Sequence, residues 1–504
     1  MLFLVLLTLA GTWFGFANPV AHIPVLVLLL PVGLCMLAKR STGLGKAFRS
    51  GWLLGGAAAA LSLYWVVIPV HEYGNYPLLL ALPCPVLLGL YIGLYTGAFT
   101  VFLSWAGKRL PWILTGILAG SFWASLELLR NWLFTGFPWL TISSAFAPWP
   151  FALQTASIVG GFGLSGILVT GCAWLVFGKD RMRPFLLSGA LFIGVGLFGV
   201  VRLDSLQPTG PSVSVAVIQG NIDQSRKWDA AYQEKTVRKY LDLSRREIVA
   251  NDPDLVVWPE TALPFYFQEE NGLSELIVNL AEENSMLLLT GAPGYSKSND
   301  GYEYFNRAFL LGPEARQMGS YDKEHLVPFG EYIPLRTFFP FMTALASGVG
   351  DFSSGKNTGP LRAGNLALGT LICYEAIFPE LAQKRVAHGA NLLVNISNDA
   401  WFGRSSAPKQ HLDLAVLRAV EQHRFLIRST NTGISTLVDP GGRILDQAPL
   451  FTTTSLYFDR VPVSNKKTLY HRLHEFIHAG YIIVTSFLLL SAWWFGGMRL
   501  KGDD

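Results

Sequence analysis

Seven stretches within the first 201 residues carry almost no charge, and an eighth lies near the C-terminus: roughly 2–17, 20–38, 50–70, 77–107, 110–130, 152–178, 184–201 and 478–498. A helix crosses a hydrocarbon core with ~20 apolar residues, and most of these runs reach that length. The chain is therefore expected to form about seven N-terminal spans, a soluble domain and one C-terminal span. With 51% hydrophobic and only 15% charged residues, it is too apolar for an ordinary soluble enzyme.

The first run has two readings. It lacks the basic flank and the small-residue cleavage site of a signal peptide near Ala17, Asn18 and Pro19, which favours a retained span paired closely with the second. Orientation follows from the basic residues, which collect in short cytoplasmic loops. Lys39, Arg40, Lys46 and Arg49 follow the second span, Lys108 and Arg109 the fourth, Lys179, Arg181 and Arg183 the sixth, and Arg499 and Lys501 the last. The connections after spans one, three and five hold no Lys or Arg. This alternation predicts an internal N-terminus and an external soluble domain. Residues 202–477 carry 27 basic and 30 acidic residues, a net of −3, whereas the remainder carries 12 and 5, a net of +7. The chain's basic excess thus belongs to topology, and nothing points to a nucleic-acid partner.

Three domains are expected: membrane helices over 1–202, an external domain over 203–475, and a C-terminal helix with its tail over 476–504. A short linker at 207–211 opens the second. Beyond it, β-branched runs such as VSVAVI (213–218), DLVVWPE, MLLLTGA (286–292), LALGTLI and NLLVNIS (391–397) alternate with helical patterns near 230–250, 273–283, 377–388 and 408–421. Such alternation predicts an α/β domain with a largely buried sheet, either doubly wound or split into two sheets. Within the spans, Glu127 and Arg130 lie three apart on one helical face, and they fit a structural ion pair as well as a lipid-headgroup site. The uncharged aromatic stretch 131–151 reads as an interfacial segment.

Cys35, Cys84 and Cys172 fall in apolar runs, which leaves Cys373 as the one thiol of the external domain. A free cysteine can be a small core residue, but Cys373 follows an apolar strand and precedes the polar pair Tyr374 and Glu375. Glu260 ends another buried-looking strand in VVWPET, where Pro259 turns the chain and Trp258 desolvates the carboxylate, making it a better proton acceptor. Lys323 lies in YDKEHLVPFGEY (321–332) and could as easily be a surface lysine among Asp322, Glu324 and Glu331. Together, a carboxylate, an ammonium and a thiol suffice for acyl transfer.

These motifs, in this order, resemble the nitrilase superfamily and its Glu-Lys-Cys triad. With the flanking spans, the whole chain resembles the membrane-embedded apolipoprotein N-acyltransferase family. The resemblance implies an αββα sandwich with Glu260 as base, Lys323 as oxyanion stabiliser and Cys373 as nucleophile. It implies Glu331 as an accessory glutamate holding Lys323, and Trp228, Asn306, Tyr374 and Glu375 as cleft residues. Ser397, Asn398, Asp399 and Trp401 match the block that follows the next strand. Acyl transfer would run from a phospholipid, through a Cys373 thioester, to the free amine of a diacylglyceryl-cysteine in an apolipoprotein, at the bacterial inner membrane. The enzyme would work as a monomer, with no cofactor and no metal.

Other chemistries fare worse. His325, His388, His411 and His423 show no zinc-ligand spacing, and the GLSG at 163–166 lies in a span with the wrong spacing for a serine elbow. Two alternatives stay open. One is a membrane-tethered amidase or nitrilase, although a tether needs one span; the other is a transporter with an external domain, although its spans hold few polar residues. The apolar stretch 336–356 reads as a lid or acyl groove, or else as a packed loop.

Overall fold

A computed structural model describes residues 1–206, 210–225, 227, 229–298, 301–313, 315–333 and 352–501. The chain divides into two compact units: Met1–Leu206 with Ser405–Leu417 and Thr468–Asp504, and Gln207–Arg404 with Arg418–Lys467. The stretch proposed as a lid lies outside the described residues from 336 to 351.

In the first unit, five helices are long and apolar enough to cross a membrane: Leu78–Ala106, Trp112–Thr135, Ala156–Phe177, Met182–Ser205 and Leu469–Trp494. Leu44–Ser62 and Tyr64–Tyr73 add a sixth candidate, bent by 61°. The expected eight spans are thus not met among the described residues. The first two apolar runs form Leu2–Gly15 and Leu29–Arg40, of 14 and 12 residues. At ~1.5 Å per residue each rises only ~20 Å, short of a ~30 Å hydrocarbon core. The cause is local. Asn18 Nδ2 donates to the carbonyls of Trp13, Phe16 and Ala21, and Pro24 opens a short 3₁₀ turn, Pro24–Leu28.

Apolar side chains gain little from one another in lipid, so close backbone packing must hold such helices together. The helices Leu44–Ser62 and Cys84–Ala106 meet in this way. A Cβ on Gly51 would lie 2.1 Å from Thr100 Oγ1, and one on Gly55 would lie 2.0 Å from Thr96 Oγ1. Thr96 Oγ1 also donates to the Gly51 carbonyl at 2.9 Å. Glu127 and Arg130 are both buried, and Glu127 Oε1 accepts from Trp123 Nε1 at 2.9 Å and the Ile142 amide at 3.1 Å.

The second unit holds two six-stranded sheets. The first has the order β12-β1-β2-β3-β4-β5, from Thr454–Pro462, Ser212–Gln219, Leu255–Val257, Leu287–Ser298, Gly301–Gly312 and Ala315–Asp322. The second has the order β11-β10-β9-β8-β7-β6, from Ile444–Gln447, Thr436–Val438, Leu426–Thr430, Leu392–Ser397, Leu366–Ile372 and Leu361–Ala363. Strand alternation sends side chains to opposite faces. Val215, Val217, Val257 and Leu289 share one core with Leu368, Ile372, Val394 and Ile427, so the two sheets face each other. Ala216, Ile218, Val256 and Leu288 point the other way, onto the helices Ala230–Asn251 and Gly272–Glu283. The helix Pro379–Ala387 joins β7 to β8 and packs on β7. The α/β domain is an αββα sandwich, and the doubly wound alternative is set aside.

Candidate active site

Sheet direction brings the charged residues to one edge. β2 and β3 are parallel, β4 reverses and β5 reverses again, so β2 and β5 run the same way. Glu260 lies three residues past the end of β2, and Lys323 directly follows β5. Cys373 directly follows β7, in the facing sheet. The turn carrying Glu260 is tight: Thr261 has φ +46°, and a Cβ on Gly291 of β3 would lie 2.5 Å from the Thr261 nitrogen and 2.8 Å from the Glu260 Cα. Only glycine at 291 lets the carboxylate loop lie against the sheet.

Lys323, only 1% exposed, stands between two carboxylates. Its Nζ lies 2.8 Å from Glu331 Oε1 and 3.6 Å from Glu260 Oε1. Asn306 Nδ2 spends its two protons on the same oxygens, at 2.8 and 2.7 Å, and so spaces the two acids around the ammonium. Glu331 Oε2 accepts from the Val327 amide at 2.8 Å, and Glu260 Oε2 from the Asn398 amide at 2.8 Å. Burial alone would depress the Lys323 ammonium, but Glu331 and Glu260 outweigh it and hold the group above its ordinary value. A buried cation so compensated keeps its charge through any proton transfer beside it.

Cys373 is half-buried and adopts φ +51°, a left-handed conformation uncommon for a residue with a side chain. Burial, then the Glu260 charge, pushes its thiol up to about 12, while Lys323 and the Ser397 hydroxyl pull the other way. This environment favours the protonated sulfur. Glu375 ties this turn to the one carrying Lys323. Its Oε1 accepts from the Tyr321 hydroxyl at 2.6 Å and from the Glu324 and His325 amides at 2.7 and 3.1 Å, and its Oε2 accepts from the Ile372 amide at 2.7 Å.

The structure thus gathers Glu260, Lys323, Glu331 and Asn306 in one cluster, of which Glu260 and Lys323 act electrostatically on Cys373, with Glu375 bridging two of the turns. Tyr374 packs its ring edge-on to Phe378 at 5.1 Å. Trp228 lies outside the described residues. Lys227 and Arg385, both buried, were not anticipated. Lys227 donates to Thr261 Oγ1 at 2.7 Å and to the Glu260 carbonyl at 3.4 Å, and burial brings its ammonium down to about 8 against the pull of Glu260. Arg385 bonds the Tyr321 hydroxyl and the Thr370 carbonyl. Among the described residues, no group of three or more His, Cys, Asp or Glu side chains is disposed to hold a metal ion.

Facing sheets with a thiol, a carboxylate and an ammonium at their strand ends define a carbon-nitrogen hydrolase domain of the nitrilase type, and that family's model matches residues 214–463. Residues 10–174 match the model of the apolipoprotein N-acyltransferase N-terminal domain. Apolipoprotein N-acyltransferases from Geobacter metallireducens, Nitrosomonas europaea and Methylococcus capsulatus are 40%, 36% and 34% identical to this chain. The alignments cover 81%, 86% and 90% of this chain and 79%, 86% and 89% of those relatives. The chain belongs to the apolipoprotein N-acyltransferase family.

Proposed function

We propose that this membrane protein transfers an acyl chain from a phospholipid to the free N-terminal amine of a diacylglyceryl-cysteine in apolipoproteins, by a ping-pong route through Cys373. One observation carries the reading: a single thiol at a strained strand end, under the opposed charges of Glu260 and Lys323. In the first half-reaction the Cys373 sulfur attacks the ester carbonyl as Glu260 takes the thiol proton. Lys323 stabilises the oxyanion, and collapse expels the lysophospholipid alkoxide, which recovers the proton from Glu260. In the second, the amine attacks the thioester, Glu260 accepts its proton, and the departing thiolate is reprotonated. Glu331 and Asn306 hold Lys323 and Glu260 in register; no cofactor or metal takes part.

Purified enzyme charged with phospholipid should carry an acyl group on Cys373. A diacylglyceryl-cysteinyl peptide with a free amine should discharge it, whereas the N-acetylated peptide should not, because an amide nitrogen is not nucleophilic. Equal discharge by both peptides, or by buffer alone at the same rate, would favour a membrane-tethered hydrolase.

The basic loops support a bacterial inner-membrane location with the catalytic domain on the extracytoplasmic side. A cysteine-free reporter fused after residue 205 should be active outside that membrane, and one fused near residue 180 should be active inside. The reverse pattern would overturn the orientation.

A further inference from the structure

Beside Cys373, on the neighbouring strand, stands a hydroxyl with no part in the steps above. β7 and β8 run parallel with Ile372 opposite Ile396, so one residue further along each strand brings Cys373 next to Ser397. Ser397 is fully buried, and its hydroxyl favours the negative form of the Cys373 sulfur beside it. The hydroxyl also donates to Asp399 Oδ1 at 2.8 Å. Asp399 is fully buried, and its other oxygen takes Arg428 Nη2 at 2.8 Å. A Cβ on Gly433 would come within 2.4 Å of that oxygen, so the carboxylate sits against bare backbone.

A hydroxyl offers one proton and two lone pairs. While Cys373 is a thiol, its S–H can point at the Ser397 oxygen and the Ser397 proton at Asp399. Once the sulfur is negative, that S–H is gone, and a rotation about the Ser397 C–O bond turns the hydroxyl proton onto the sulfur. Asp399 keeps its bond to Arg428 meanwhile. No O–H bond breaks.

Resting on the reading of Cys373 as nucleophile, we propose that Ser397 is a further catalytic residue, a switchable donor whose proton is parked on Asp399 and turns to the Cys373 sulfur whenever the sulfur carries negative charge. It acts twice: as the thiol attacks the donor ester, and as the thiolate is expelled when the amine resolves the thioester. Ser397 and Asp399 pull in opposite directions, the hydroxyl favouring the thiolate and the carboxylate opposing it. That opposition gives the test its sign.

The test is the rate at which iodoacetamide alkylates Cys373 in the purified full-length enzyme from pH 7 to pH 11, read by mass spectrometry of the Cys373 peptide. Ser397→Ala, or Ser397→Gly if alanine impairs folding, should slow alkylation about tenfold at each pH, because the thiolate loses a charge-assisted bond. Ser397→Thr should restore it. Asp399→Asn should speed alkylation. Loosened packing would instead expose the thiol and speed alkylation in every variant. A folded Ser397→Ala enzyme that reacts at the wild-type rate or faster would overturn the proposal, as would failure of a folded Ser397→Thr enzyme to recover. Should Asp399→Asn not fold, the Ser397 variants decide alone. Alkylation reads the thiol whether or not it ever carries an acyl group, so a failure here is distinct from the absence of a Cys373 adduct.

Discussion

Replacing Cys373 by alanine should abolish acyl-adduct formation and lower turnover by roughly 10⁴- to 10⁶-fold, the scale on which a covalent enzyme loses rate with its nucleophile. The fold should survive. Cys373 is half-buried and its φ of +51° is no harder for alanine than for cysteine, so stability should change by about 1 kcal/mol or less. Cys373→Ser should fare little better than alanine, since a hydroxyl holds its proton far more tightly than a thiol and Glu260 would have to remove it. The measurement is the intact mass of enzyme incubated with phospholipid, with hydroxylamine release to identify a thioester. Cys35 and Cys172 are buried in the membrane unit, which leaves Cys84 as the control thiol. A hydroxylamine-labile acyl group retained by the Cys373→Ala protein would show that another side chain is the nucleophile.

What the residues revealed, and what they hid, follows from which interactions are local. Charge-poor runs located every candidate span, because the membrane constrains a continuous stretch of chain. At 2–17 and 20–38 the described helices are shorter than a span, because Asn18 caps the end of the first and Pro24 opens a 3₁₀ turn ahead of the second, neither of which hydropathy sees. Strand-helix alternation predicted the α/β class, but separating one sheet from two needed pairings across the chain. β12 closes the first sheet by pairing with β1, with Ser212 opposite Pro462, and its half-exposed sequence TSLYFDRVP is a weak strand signal. The family resemblance singled out Lys323 among its charged neighbours, whereas Glu260 and Cys373 stood out because each is a reactive group in an apolar context. Lys227 did not, since a lysine between Arg226 and Trp228 reads as surface. Arg385 left a usable clue: it sits three and four residues after Ala382 and Leu381, on the apolar stripe of its helix, where a solvated arginine would not.

The second large effect is expected at Lys323, where one substitution should cost both rate and stability. On the proposed mechanism Lys323→Met removes the cation that stabilises the oxyanion, and losing one such donor commonly costs ~10²- to 10³-fold. It also raises the barrier to thiolate formation, because the ammonium is the charged group that opposes burial at the Cys373 sulfur. Methionine preserves the length of the stem, so the loss is electrostatic rather than steric. Yet it leaves Glu260 and Glu331 facing each other around Asn306 with no cation between them. Removing one partner of a buried ion cluster typically destabilises by about 3–5 kcal/mol. Glu331→Gln separates the two consequences. It keeps the ammonium and its 3.6 Å approach to Glu260, and its amide oxygen can still accept from Nζ, so it should cost far less rate than Lys323→Met. The readouts are the rate of Cys373 acylation in a single turnover and the thermal midpoint of the same preparation. Acylation by a folded Lys323→Met enzyme at the wild-type rate would remove the ammonium from the reaction and leave it a purely structural charge. A Glu331→Gln enzyme as slow as Lys323→Met would mean that the geometry of the cluster, rather than the cation alone, stabilises the oxyanion.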